Sequence, residues 1–461
     1  MLSRLPTRDE LRALLTLATP IVVIQVGVMF MGVVDTLMVG HLSAQALAAV
    51  AIGNLYFFGF AILAQGILHV LDPLVSQAVG AEDHPAIARA FQRGMVLAVV
   101  LSIPISLLML PVGPLMTLAG QPSEVVPLVR QYVWWLIPGM VPYFLFIVLR
   151  QTLQAMHHTR SILWCIVIAN LANAVLNWVL IFGHWGLPQL GVSGSALATA
   201  ASRWLMALLL VGLSWSRLRQ YLRPFSRDAL APGPVLRMLL LGLPIGSQML
   251  LEFGAFAAIA LLMGRLGTIQ VAGHQVAINL ASLTFMVPLG ISAATAVLVG
   301  NAVGRGDEVA ARRSARTSLI CGAVFMCLTA LVFLILPGLL ARLYTTDVEV
   351  VAIAASLIPI AGVFQVFDGL QAVGAGVLRG LGDTRAPMVI NILGFWLFGM
   401  PVSIYLGFQA GLGPRGLWWG FVAGLGAVAI LLLVRIRGRL RRVLSRVSLD
   451  PEKITVGATA E

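Results

Sequence analysis

Twelve apolar runs, each long enough to form a membrane-crossing helix, dominate this chain of 461 residues. A helix needs about 20 apolar residues to cross the hydrocarbon core of a bilayer. Read between polar breaks, the runs begin near residues 13, 48, 92, 127, 161, 194, 238, 272, 314, 349, 386 and 416. Composition agrees: 59% of residues are hydrophobic and 10% charged, against roughly 45–50% and about 25% in a soluble domain. The first run, from about Leu14 to Val39, is too long for a signal-peptide core and should remain as a span. The expected fold is therefore all-α and membrane-embedded, with twelve spans. Kinks are expected near Pro20, Pro73, Pro142, Pro244, Pro288 and Pro359, because proline removes a backbone donor inside a helix.

The net charge of +12 does not point to nucleic acid, because the arginines sit in short gaps between apolar runs. They are strongly one-sided. With the N-terminus on side one, the opposite side holds only Arg130, Arg265, Arg342 and Arg415. Positive charge accumulates on the cytoplasmic face, so both termini are expected there, and an even number of spans satisfies that. The longest polar stretch between spans, 217–237, divides the chain. This gives an N-terminal six-helix bundle (1–216), a cytoplasmic linker (217–237), a C-terminal six-helix bundle (238–438) and a cytoplasmic tail (439–461).

The halves repeat. Pro20 and Pro244, Gly40 and Gly264, and Ala48 and Ala272 are each 224 positions apart, as are Gln77-Ala-Val-Gly80 and Asn301-Ala-Val-Gly304. Thr159-Arg160 matches Thr384-Arg385 at 225, and Gly191 and Gly194 match Gly413 and Gly416 at 222. Six spans per half make the repeat parallel, as in transporters built from two similar bundles. GLPIG at 242–246 and GFVAG at 420–424 read as sites of close helix packing.

Most of the acids fall in loops or tails. Asp35, Asp72, Glu252 and Asp368 do not, and a charge at a helix centre costs about 2.5–3.5 kcal/mol on insertion scales. Asn170, Asn173 and Asn177 on the fifth span share a face and are the expected companions of Asp35. Such a cluster can hold Na⁺, take up a proton, or simply join helices by hydrogen bonds. Glu252 shares a face with Gln248 and Phe256; Asp368 has Gln365 and Gln371 three residues to either side; Gln275 and Asn279 lie one turn apart. Together with Phe285 these are the candidate cavity-lining residues. Glu252 and Asp368 can form a cation or proton site, or pair with an arginine. Asp72 precedes Pro73 and suits a local helix break as well as a functional role; Arg203 inside the sixth span is similarly open. None of the acids recurs in the other half: Ile259, Val28 and Tyr143 stand opposite Asp35, Glu252 and Asp368.

The sole lysine, Lys453, lies in the tail, so no GxxxxGK[ST] phosphate loop exists in this chain. No HExxH, nucleophile elbow or cysteine pair marks an enzyme, and none is expected.

Three segments carry a family resemblance: PIVVIQVGVMFMGVVDTLMVGHLSAQALAAVAIGN (20–54), SQAVGAEDHPAIARAFQRG (76–94) and VAGHQVAINLASLTFMVPLGISAATAVLVGNAVGRGD (271–307). The chain resembles the multidrug and toxic compound extrusion (MATE) family. The set Asp35, Glu252 and Asp368 resembles its NorM-type branch rather than the DinF-type branch. The resemblance implies an inner-membrane antiporter with a cleft between two bundles, exporting cationic amphiphilic drugs in exchange for Na⁺ or H⁺. It implies a C-bundle cation site at Glu252 and Asp368, and an N-bundle site at Asp35, Asn173 and Asn177 with Thr199. Na⁺ is then the one metal ion in question, no other cofactor is expected, and the chain is expected to act as a monomer. A flippase for lipid-linked or polyprenyl intermediates is the alternative, but buried acids suit cationic cargo better than anionic headgroups.

Overall fold

Inside a bilayer every backbone donor and acceptor has to be satisfied within the protein, which leaves an apolar segment little choice but the helix. The computed structural model describes residues 6–447. Lys453 and the rest of the expected tail beyond 447 lie outside the described residues. Among those described, every regular element is helical and twelve helices are long and apolar enough to cross a membrane, matching the number of apolar runs.

The first half comprises α1 (Arg8–Gly40), α2 (Ala44–Leu68), α3 (Leu71–Gly80), α4 (His84–Met109), α5 (Val112–Leu118), α6 (Val126–Leu136), α7 (Met140–Ala155), α8 (Thr159–Phe182), α9 (Val192–Leu213) and α10 (Trp215–Leu222). The second comprises α11 (Pro232–Leu266), α12 (Thr268–Gly304), α13 (Glu308–Ile335), α14 (Pro337–Arg342), α15 (Val348–Gly380), α16 (Arg385–Asn391), α17 (Met400–Ile404) and α18 (Gly413–Arg439). α2 with α3 and α6 with α7 each make one span; α16 and α17 join through π-helical stretches at Ile392–Gly399 and Tyr405–Gln409 into another.

Pro73 breaks its span one turn earlier, at His69–Val70, the position whose carbonyl its missing N–H would have engaged. The second break is a 3-10 turn, Ile137–Gly139, set by Pro138 rather than by Pro142. Pro20, Pro244, Pro288 and Pro359 are carried inside continuous helices.

The repeat recurs in local structure. After α3, Asp83 N–H donates to the Ala78 carbonyl at 3.0 Å while its carboxylate accepts from Ala86 N at 3.0 Å. After α12, Asp307 does the same with Ala302 at 2.9 Å and Ala310 at 2.8 Å. Each aspartate thereby caps the helix that begins beside it.

Two compact units divide the chain, and their boundaries are not the expected 216 and 238. One unit takes the chain up to Val22 together with Ser247–Val447; the other is Val23–Gly246. Both boundaries fall inside helices, so α1 and α11 each contribute to both units. The sequence could not reveal this, because a helix that changes neighbours keeps one unbroken apolar pattern. Both GxxxG motifs are close-contact sites. A Cβ on Gly242 would overlap the Ile67 carbonyl oxygen, and one on Gly420 would overlap Ser403 Cα. The expected linker is largely structured. α10 occupies its start, and α4 anchors the end of α10 and the chain after it: Gln92 donates to the Tyr221 carbonyl at 2.7 Å and accepts from Ser226 N at 2.9 Å.

Candidate functional site

In the Val23–Gly246 unit, α1, α8 and α9 converge on Asp35. Asn177 Nδ2 donates to Asp35 Oδ1 at 2.5 Å, and the Thr199 hydroxyl donates to Oδ2 at 2.8 Å. Asn177 also donates to Asn173 Oδ1 at 3.1 Å. All four side chains are buried. Spacing of four residues on α8 puts both asparagines on one face. Hydrogen bonds to a charged group contribute about 1.5–3 kcal/mol each, which offsets part of the several kcal/mol that desolvating a carboxylate costs. Asn170 stands outside this cluster. It donates to the Gly27 and Ile166 carbonyls at 3.0 and 2.9 Å and joins α8 to α1. Arg203, one turn beyond Thr199, is buried with its guanidinium 4.1 Å from the Phe57 ring centre and 4.9 Å from that of Tyr143. It is an electrostatic neighbour of Asp35. Arg203 therefore stays in the protein interior and does not reach toward the membrane surface.

In the other unit, Glu252 from α11 and Asp368 from α15 line one cavity of about 170 Å³. Phe256, Phe285, Phe364, Ile278, Ala281 and Ser282 complete its wall. Gln371, one turn after Asp368, donates to Glu252 Oε2 at 3.0 Å, and Asn391 lies beside Glu252. Neither acid forms an ion pair with an arginine among the described residues. Asp368 Oδ1 is buried with no hydrogen-bond partner. A buried, unpaired carboxylate oxygen is a costly arrangement unless a proton or a cation satisfies it.

Of the expected cavity residues, Phe256 and Phe285 line the wall and Gln371 touches an acid. The others have different roles. Gln365 is held between Thr284 and Thr329 at 2.7 and 2.9 Å, Gln275 pairs with Asn279 at 3.2 Å, and Gln248 is buried away from the cavity lining. Sequence reasoning missed Ile278, Ala281, Ser282, Phe364 and Asn391. A signal existed for the first three: with Phe285 they share one face of α12, at spacings of three and four. Phe364 sits one turn before Asp368. Asn391 carried no comparable sign, because its approach to Glu252 is a long-range contact.

Twelve apolar helices in two related halves, each half enclosing its own carboxylate site, define a polytopic membrane transporter. The MatE family model matches residues 20–179 and 244–405, two stretches that track the repeat itself. The chain is 38% identical over 426 residues to a multidrug resistance protein NorM of Burkholderia vietnamiensis, covering 91% of this chain and 92% of that protein. It is 35% identical over 449 residues to a multidrug resistance protein MdtK of Pectobacterium atrosepticum, covering 95% and 97%. The crystal structure of the eukaryotic MATE transporter AtDTX14 superposes with a TM-score of 0.86 at 26% identity, over 94% of this chain and 98% of that one. The chain belongs to the MatE family, and its fold is that of the MATE transporters.

Proposed function

We propose that the protein exports small cationic, amphiphilic compounds from the cytoplasm in exchange for Na⁺ or H⁺ by alternating access. One observation carries this reading: buried Asp368, one carboxylate oxygen of which has no hydrogen-bond partner, lines the same cavity as Glu252 and three phenylalanines. Carboxylates attract a positive charge, and aromatic faces attract both the charge and an apolar body. The names of the NorM and MdtK relatives support drug export as the activity. Asp35 with Asn173, Asn177 and Thr199 is assigned to ion coupling in the other unit, and Glu252 and Asp368 to the site where cargo and ion compete. The protein would reside in the inner membrane as a monomer, with both termini cytoplasmic. The flippase alternative is disfavoured because the cavity lining is acidic and aromatic and contains no basic residue.

The test is Asp368→Asn in everted vesicles, with ethidium transport driven by a Na⁺ or a pH gradient. The expected result is a rate at least about tenfold lower under the coupling gradient, the scale of one lost charge contact. Unchanged transport under both gradients removes Asp368 from the mechanism.

A further inference from the structure

The Val23–Gly246 unit contains a second buried polar cluster, away from Asp35, to which ion coupling at Asp35 gives no role. His69 sits at the break between α2 and α3. Its Nδ1 accepts from Gln151 Nε2 at 2.6 Å and lies 3.4 Å from Asp72 Oδ2. The His69 and Asp72 side chains are 14% and 7% exposed. Arg150, beside Gln151 on α7, is an electrostatic neighbour of Asp72 and donates to Gln25 Oε1 at 3.2 Å. A buried histidine with a carboxylate on one side and an amide on the other has a hydrogen-bonding partner in either proton state. When neutral, Nδ1 accepts from Gln151. When protonated, Nδ1–H donates to Asp72, or to the Gln151 oxygen after the amide turns. Structural cores seldom contain such a cluster, because an apolar replacement avoids the desolvation cost.

The cluster is also connected toward Asp35. Gln65, one turn before His69 on α2, accepts from the Tyr143 hydroxyl at 2.6 Å. The Tyr143 ring lies 4.9 Å from the Arg203 guanidinium, and Arg203 neighbours Asp35 electrostatically. Arg203 on α9 and polar groups on α7 and α2 therefore run from the Asp35 site to the helix break. α3 continues from there to Gly80 and the turn before Asp83, on the side that the arginine asymmetry makes cytoplasmic. The charged and titratable groups on elements packed against α2 and α3 are Arg150 and Tyr143 on α7, His84, Arg89 and Arg93 on α4, Arg130 and Tyr132 on α6, and Arg203 on α9.

We propose that His69, held by Asp72 and Gln151, is a second proton-binding site, which takes up a proton inside this unit and releases it to the cytoplasm. The proton is delivered by water and taken up by the His69 Nδ1 lone pair, which withdraws from the Gln151 amide. Loss of that proton to cytoplasmic water restores neutral imidazole. The inference rests on the export reading and specifies H⁺ as the ion handled by this unit.

The test measures ethidium transport by reconstituted protein, driven by a pH gradient alone, as a function of the pH on the cytoplasmic side. Histidine titrates near neutrality. His69→Gln should therefore lower the gradient-driven rate at least about tenfold and flatten its dependence between about pH 5.5 and 8. Asp72→Asn, which keeps the imidazole, should move the midpoint of that dependence. A His69→Gln profile like the parent's overturns the proposal. If His69→Gln does not fold, an unmoved midpoint in Asp72→Asn overturns it. A parent driven by Na⁺ and indifferent to pH overturns this inference and leaves the export reading standing. A parent that moves no cation under either gradient overturns both.

Discussion

Replacing Asp368 with Asn preserves the side chain's shape and removes one charge from a cavity of about 170 Å³ that Glu252 shares. In a space this size a monovalent guest sits about 5 Å from each carboxylate, where one contact contributes about 3 kcal/mol at an effective dielectric constant near 20. The asparagine dipole recovers part of that. The remainder corresponds to a loss of affinity between about 10- and 100-fold, at about 1.4 kcal/mol per tenfold. Purified Asp368→Asn and parent are titrated with a fluorescent aromatic monocation and with an uncharged compound of the same ring system. The cation should weaken by that factor and the neutral compound by less than about twofold, because the aromatic wall is untouched. Glu252→Gln should behave similarly, and the double variant should lose less than the sum, because the two charges act on one guest. Equal weakening of both compounds, or of neither, would refute the electrostatic argument.

Thr199→Val removes the hydroxyl that donates to Asp35 Oδ2 at 2.8 Å and leaves a buried carboxylate oxygen unpaired; at about 1.5–3 kcal/mol for such a bond, gradient-driven efflux should fall at least about tenfold, while Thr199→Ser retains it. Gly420→Ala drives a Cβ into Ser403 Cα; the helices must separate, and melting monitored by size-exclusion fluorescence in detergent should show a loss of about 1–3 kcal/mol. Ile259→Asp puts an acid at the buried place equivalent to Asp35. Without donors it costs several kcal/mol, so the folded yield should collapse while Ile259→Val stays near the parent.

The fold was legible in the sequence because a bilayer allows few structures, and each apolar run records one of them. The Asp35 site was legible for a related reason. Asn173 and Asn177 are polar where polarity is expensive, and their spacing alone puts them together. Gln365, Gln275 and Asn279 had the same pattern but lie outside the lining of the Glu252–Asp368 cavity, because an amide in a helix bundle can equally find a threonine or another amide. The opposite error occurred at Phe364 and Ser282. Residues ordinary for a membrane helix give no sign that they face a cavity. The division of α1 at Val22 and of α11 at Gly246 left no compositional trace either.

The unequal chemistry of the two halves has a structural cause. At the offset that pairs Gly194 with Gly416, the place of Thr199 is taken by Phe421. Phe421 packs against Phe256 and Phe364, at ring separations of 4.8 and 5.2 Å. Where one unit presents a donor to a carboxylate, the other presents a ring. Asp35 therefore has both oxygens engaged, an environment that holds a charge in place. Asp368 has one oxygen without a hydrogen-bond partner and lines a cavity walled by three phenylalanines. A duplicated scaffold can keep its turns and its close-packed glycines, since those answer to helix geometry. Its acids cannot be copied across, because each depends on neighbours that the other half has exchanged for something else.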